Sequence, residues 1–137
     1  MGMTESAFQA SAGGVYHFTK QENDALTRVG PGSVMGNMFR QYWIPVTPAV
    51  DVQESGGRPL RVKLLGEDLV LFRTQNGQLG MIGSFCPHRL APLFYGRVED
   101  DGLRCPYHGW KFAPDGKCSE MPNIPAELAF TDKVHHP

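Results

Sequence analysis

Two short segments, "CPHR" at residues 86–89 and "CPYHGW" at 105–110, restrict this chain more than any other feature, because each sets a cysteine, a proline and a histidine within four residues. Cys86 and His88 form a CxH pair and Cys105 and His108 a CxxH pair, with sixteen residues between His88 and Cys105. Pro87 and Pro106 each remove a backbone donor and bias the preceding cysteine toward an extended conformation, so neither pair fits inside a helix or in the middle of a sheet ladder. Each pair belongs at a loop tip. Two such tips, carried by hairpins and facing each other, would gather two thiolates and two imidazoles around one small volume, which is a metal site.

The surrounding sequence supplies the hairpins. From Trp43 onward, short β-like runs alternate with turn residues: "YWIPVTPAV", "LRVKLL", "DLVLFR", "QLGMIGSF", "GLRC", "WKF" and "KCSEM". Gly56-Gly57, Gly66, Asn76-Gly77, Asp101-Gly102 and Asp115-Gly116 can each supply the positive φ of a tight turn, which predicts antiparallel pairing of consecutive strands. Before Trp43 the signals are helical. Thr19 and Glu22 make a capping box for a helix in "KQENDALTRV" that Gly30 and Pro31 close. Ser33 caps a second helix, in which Val34, Met35, Met38, Phe39 and Tyr42 form one apolar stripe. That stripe and Trp43 read as packing. Residues 1–16 read as a disordered leader, 17–42 as a short helical segment and 43–137 as the β domain, with no internal repeat. The closing "IPAELAFTDKVHHP" reads as a connection cut off before a further element.

Whole-chain numbers exclude several functions. A chain of 137 residues is about one domain and needs no disulfides to hold its core. Thirteen basic and 14 acidic residues, mixed along the chain to a formal charge of -1, leave no basic stripe for nucleic acid and no polybasic patch for a membrane. There is no run of 18 apolar residues and no export signal at the N-terminus. Three cysteines are too few for a secreted disulfide framework and fit a reducing, cytoplasmic setting. Met1, Gly2 and Ser6 satisfy a short myristoylation pattern loose enough to match by chance. The glycines of "VGPGSVMG" miss the GxGxxG spacing and lie in no βαβ unit, so no dinucleotide site is expected there.

Cys2His2 also describes structural zinc, which usually groups Cys with Cys and His with His around a short helix. Here each loop supplies one of each and the context is β, a mixture used by two-iron Rieske centres. "CPHR" and "CPYHGWKF" at this separation resemble the Rieske motif of aromatic ring-hydroxylating oxygenases. "LTRVGPGSVMGNMFRQYWIPV", "VKLLGEDLVLFR" and "GRVEDDGLRCPYHGWKFAPDGKC" resemble the N-terminal domain of phthalate dioxygenase-type oxygenase components, so the likeness covers about residues 20–137. It implies a Rieske-type antiparallel β-sandwich or partial barrel, with a two-loop cluster-binding lobe and short N-terminal helices. It also implies a [2Fe-2S] cluster, with Cys86 and Cys105 on the buried iron and His88 and His108 on the outer one.

The resemblance further implies one-electron transfer from a flavin and iron–sulfur reductase, or a ferredoxin, toward a mononuclear non-haem iron in a C-terminal domain. No residues here correspond to that domain, which in the family binds the aromatic substrate and carries the dioxygenase or monooxygenase chemistry. A homo-oligomer would belong to the full-length protein. Two alternatives stand beside this reading, a free-standing Rieske ferredoxin and a zinc-stapled binding module. High-potential Rieske proteins carry an extra cysteine on each loop and a serine after the second His-Gly; Ala91, Tyr107 and Trp110 stand there instead, which predicts a potential low in the Rieske range. Trp110 is expected to shield the cluster or fill the core, Arg89 to present charge beside the imidazoles, and Cys118 to be a buried free thiol. Of the remaining histidines, His17 matches no ligand position, and His135 and His136 read as solvated.

Overall fold

The computed structural model describes residues 17–137. The expected leader and the Met1, Gly2 and Ser6 pattern lie outside the described residues. The capping box forms as expected: Thr19 Oγ1 accepts from the Glu22 N–H, and Glu22 Oε2 accepts from the Thr19 N–H, opening helix α1 (Lys20–Thr27). The helix stops before Gly30. Arg28 is already extended, and Thr27 Oγ1 back-bonds to the Asn23 carbonyl, a competitor to the helical ladder that weakens the last turn. Ser33 caps α2 (Val34–Phe39) by accepting from the Gly36 N–H. Gly36 is the buried residue of α2, and a Cβ there would lie 2.3 Å from the Gly30 carbonyl oxygen, so this glycine serves a close backbone approach.

The apolar stripe on α2 is not packed. Val34 is 71% exposed, Tyr42 68% and Trp43 102%, against the expectation of a packing face. The helical pair is tied to the β domain by polar contacts instead: the Arg40 guanidinium donates to the carbonyls of Val29, Gly36 and Leu65 and pairs with Glu67. A second correction concerns "YWIPVTPAV", which forms no strand. Pro45 and Pro48 offer no ladder donor, and the segment ends in a 3-10 turn, Ala49–Val52.

The remaining β runs do form strands. One antiparallel sheet comprises β1 (Leu60–Leu64), β2 (Glu67–Arg73) and β3 (Leu79–Gly83) in that order, and a second comprises β4 (Arg97–Val98), β5 (Leu103–Arg104), β6 (Lys111–Phe112) and β7 (Cys118–Glu120). Gly66, Gly77 and Gly116 turn with positive φ, as the hairpin signals predict. Gly102 does not; a Cβ there would meet the Phe112 carbonyl oxygen at 2.4 Å, so close packing excludes a side chain. Val70, Phe72 and Ile82 of the first sheet share one core with Val98, Leu103 and Phe112 of the second. Cys86, Cys105 and Trp110 belong to that same core, so the candidate site is rooted in it. Among the described residues, no helix is long and apolar enough to cross a membrane.

Candidate metal centre

The cysteine–histidine segments fold as two copies of one turn. In the first loop the Cys86 N–H donates to the Ala91 carbonyl at 2.9 Å and the Leu90 N–H donates back to the Cys86 carbonyl at 2.8 Å. In the second, the Cys105 N–H donates to the Trp110 carbonyl at 2.8 Å and the Gly109 N–H to the Cys105 carbonyl at 3.2 Å. The fifth residue of each hexapeptide is left-handed, Leu90 at φ 53° and Gly109 at φ 75°. No repeat is legible in "CPHRLA" and "CPYHGW" beyond the Cys-Pro start, yet their backbones bond alike. An isolated bridge between Phe85 and Pro92 closes the base of the first turn, and the β5–β6 pairing of Arg104 with Lys111 closes the second.

This geometry sorts the four donors into two pairs. Cys86 and Cys105 are 1% and 4% exposed and neighbour each other in the shared core. Burial pushes the Cys86 thiol up to about 11, the neighbouring Cys105 adding to it against hydrogen bonds from the His88 and Arg89 amides. The histidines are half-buried, with ring centroids 4.6 Å apart and planes at 61°. Burial, then the charges of His108 and Arg89, holds the His88 imidazole below its ordinary value and favours its neutral, ligating form. Two buried thiols and two half-buried imidazoles match in type the donors of a two-iron cluster that takes sulfur ligands on one iron and nitrogen ligands on the other. Among the described residues, no three His, Cys, Asp or Glu side chains converge on the position of a single ion.

Behind the second loop lies a charge network that the sequence reading did not single out. The Arg104 guanidinium donates to Glu99, to Glu120 at 2.6 Å and to the Gly109 carbonyl at 2.7 Å. Lys111, 8% exposed, meets Asp101 at 2.9 Å and also Glu120. Burial works against the Lys111 ammonium, but those two carboxylates outweigh it and its pKa lies above the usual lysine value. Three acidic residues flanked by arginines in "RVEDDGLR", residues 97–104, were the available signal. Cys118 is buried on β7, as expected for a free thiol, and its Sγ lies 3.6 Å from the Glu120 carbonyl oxygen.

Trp110 is 4% exposed, lies in the core and stacks on His88. Arg89 is exposed beside that ring. His17 and His135 are exposed, but His136 is not solvated: it is 6% exposed, its ring nitrogen Nε2 lies 2.7 Å from the Phe85 carbonyl oxygen, and its amide donates to Gly116. The reason is pairing at the chain end. The Cys118 N–H donates to Val134 and the Gly83 N–H to Pro137, which draws the last residues against both sheets.

The family described as Rieske [2Fe-2S] domain matches residues 42–132. The chain belongs to this Rieske family. It is 50% identical over 114 residues to the 3-chlorobenzoate-3,4-dioxygenase oxygenase subunit of Comamonas testosteroni, covering 83% of this chain and 26% of that protein. Identity to the phthalate 4,5-dioxygenase oxygenase subunit of Pseudomonas putida is 47% over 118 residues, 86% of this chain and 27% of the relative. The crystal structure of dicamba monooxygenase with non-heme iron and dicamba superposes with a TM-score of 0.59 at 29% identity, over 69% of this chain and 28% of that one. NdmA of Pseudomonas putida CBB5 gives 0.63 at 31% identity, over 73% of this chain and 31% of that one. This Rieske domain therefore spans about a quarter of the length of the curated relatives it matches.

Proposed function

We propose that Cys86 and Cys105 hold the inner iron and His88 and His108 the outer iron of a [2Fe-2S] cluster, and that the domain carries electrons within an oxygenase component. The observation that carries this is the sorting of donors by two alike turns: sulfur beside sulfur in the core, imidazole beside imidazole near the surface. Structural zinc needs all four donors around one point, and among the described residues no three His, Cys, Asp or Glu side chains converge in that way. When bound there, the cluster supplies a one-electron couple. The protein groups do the rest. Cys86 and Cys105 are kept from water by the core, Trp110 covers one face of His88, and the half-buried imidazoles offer an edge to a partner.

In the full-length protein, electrons would come from a flavin and iron–sulfur reductase or a ferredoxin, and the oxygenated compound would be aromatic, or similarly apolar. Support comes from relatives named as oxygenase subunits acting on 3-chlorobenzoate and phthalate. Single substitutions test the ligand set, with iron and acid-labile sulfide assayed in each variant. Replacing any of the four by Ala should abolish the EPR signal of mixed sulfur and nitrogen ligation, while Cys118→Ser keeps it. Loss of cluster in Cys118→Ser alone, or full retention in any of the four, contradicts the assignment.

A further inference from the structure

We infer that Asn123 is a positioning residue for the cluster: it anchors the Trp110 indole flat against the His88 imidazole. This rests on the reading of His88 as a ligand. The indole and imidazole planes are 5° apart with centroids at 4.5 Å, a face-to-face contact, while His108 meets His88 edge-on. The buried indole carries one donor and no acceptor, so it requires a partner. That partner is Asn123 Oδ1, 2.9 Å from Trp110 Nε1.

Asn123 lies outside both cysteine–histidine turns, in a turn after β7 closed by the Ile124 N–H on the Met121 carbonyl. The same turn braces the second loop a second time. A Cβ on Gly109 would come within 2.9 Å of Pro122 Cγ, so the residue before Trp110 is already pressed against this turn. Phe130 also packs against the indole, edge-on, with centroids 5.9 Å apart. Asn123 is itself exposed, so removing its side chain leaves the N–H of the buried indole to bond water and frees the ring to turn toward it. His88 would then lose both its stacking partner and its cover.

The electrical consequence has a definite sign. Two ferric ions, two sulfides and two thiolates sum to zero charge, and accepting one electron from a reductant such as dithionite gives a net charge of −1. Water admitted beside His88 solvates the charged form better, so the midpoint potential rises.

The test uses the cluster-loaded chain with Asn123→Ala, Asn123→Asp, Trp110→Phe and the double variant Asn123→Ala with Trp110→Phe. Pulsed EPR of the reduced cluster reads the two imidazole nitrogen couplings, and a dithionite titration reads the potential. Asn123→Ala should alter one coupling, leave the other, and raise the potential. Asn123→Asp, which keeps the acceptor oxygen, should restore the couplings. In the Trp110→Phe background, Asn123→Ala should add nothing, since its effect passes through the indole N–H. Unchanged couplings and potential in Asn123→Ala, or an undiminished effect in the Trp110→Phe background, overturns the inference. Exchange of the indole N–H with solvent in the oxidised chain gives an independent readout, expected to be faster by about tenfold in Asn123→Ala. If the wild-type chain shows no imidazole couplings, the ligand assignment fails by itself; the exchange rate still decides whether Asn123 holds Trp110.

Discussion

Gly83 and His136 show how closely the end of the described chain is fitted to the first cysteine–histidine loop. A Cβ on Gly83 would stand 2.3 Å from His136 Cε1, while Nε2 of the same ring bonds the carbonyl of Phe85, the residue before Cys86. Gly83→Ala must push the ring aside, and overpacking of this kind costs about 1–3 kcal/mol. Chemical denaturation should show a lower midpoint with the slope unchanged. An unshifted midpoint would mean that the His136 contact is loose. This contact was not legible in the sequence, because His136 meets a backbone carbonyl 51 residues away and neither partner belongs to a motif. Cys86, His88, Cys105 and His108 were legible because Pro87 and Pro106 mark their turns locally. The packing expected of Trp43 and Tyr42 failed for a related reason: an apolar stripe states that a face is apolar without saying what covers it.

Among the elements, the second loop depends most on charge. Hydrogen bonds from Arg104, and then from Arg97, overcome burial and hold the Glu99 carboxyl down to about 2. Because the folded value is depressed, the stabilisation is complete above the ordinary carboxylate value near 4.5 and is lost as pH falls from there through about 2. Glu99 is 19% exposed, and a shift of this size corresponds to at most about 3 kcal/mol. The difference in unfolding free energy between wild type and Glu99→Gln, followed from pH 5 down to pH 2.5, should shrink steadily; a constant difference would rule out this linkage. Arg104→Ala removes the bonds to Glu99, Glu120 and the Gly109 carbonyl together. It should destabilise the domain by about 2–3 kcal/mol and speed amide exchange at Gly109 and Trp110 before it affects the first loop. Strands β1, β2 and β3 could be read from alternation and turn glycines. Strand β4, two residues long, is too short to show a period and falls in none of the β-like runs, and Pro45 and Pro48 turned an apparent strand into a 3-10 turn.

For the whole molecule, the domain is a pair of antiparallel sheets sharing a core that also contains both candidate cysteine ligands. The fold class was legible because strand runs, turn glycines and the two Cys-Pro-anchored loops all point to hairpins. Asn123, Arg104 and His136 were not, since their roles depend on contacts between elements that no local pattern encodes. Since Ala91, Tyr107 and Trp110 occupy the positions of the cysteines and serine of high-potential Rieske proteins, fewer groups stabilise the added electron. The midpoint should fall in the lower part of the roughly −150 to +300 mV Rieske range, and a value above about +150 mV would contradict that comparison. With one donor set and no second set of histidines at family spacing, the chain supplied with a flavin reductase, NADH, oxygen and aromatic acids should bleach without forming hydroxylated product. Stoichiometric product would reveal a catalytic site elsewhere in it. The central claim, that two paired turns hold a two-iron cluster, is tested most directly by a reductive titration of the purified chain with metal, sulfide and pulsed EPR measured on the same sample. Two irons, two acid-labile sulfides, uptake of one electron per chain and couplings from two imidazole nitrogens are predicted; one zinc per chain, without sulfide or electron uptake, would contradict the account.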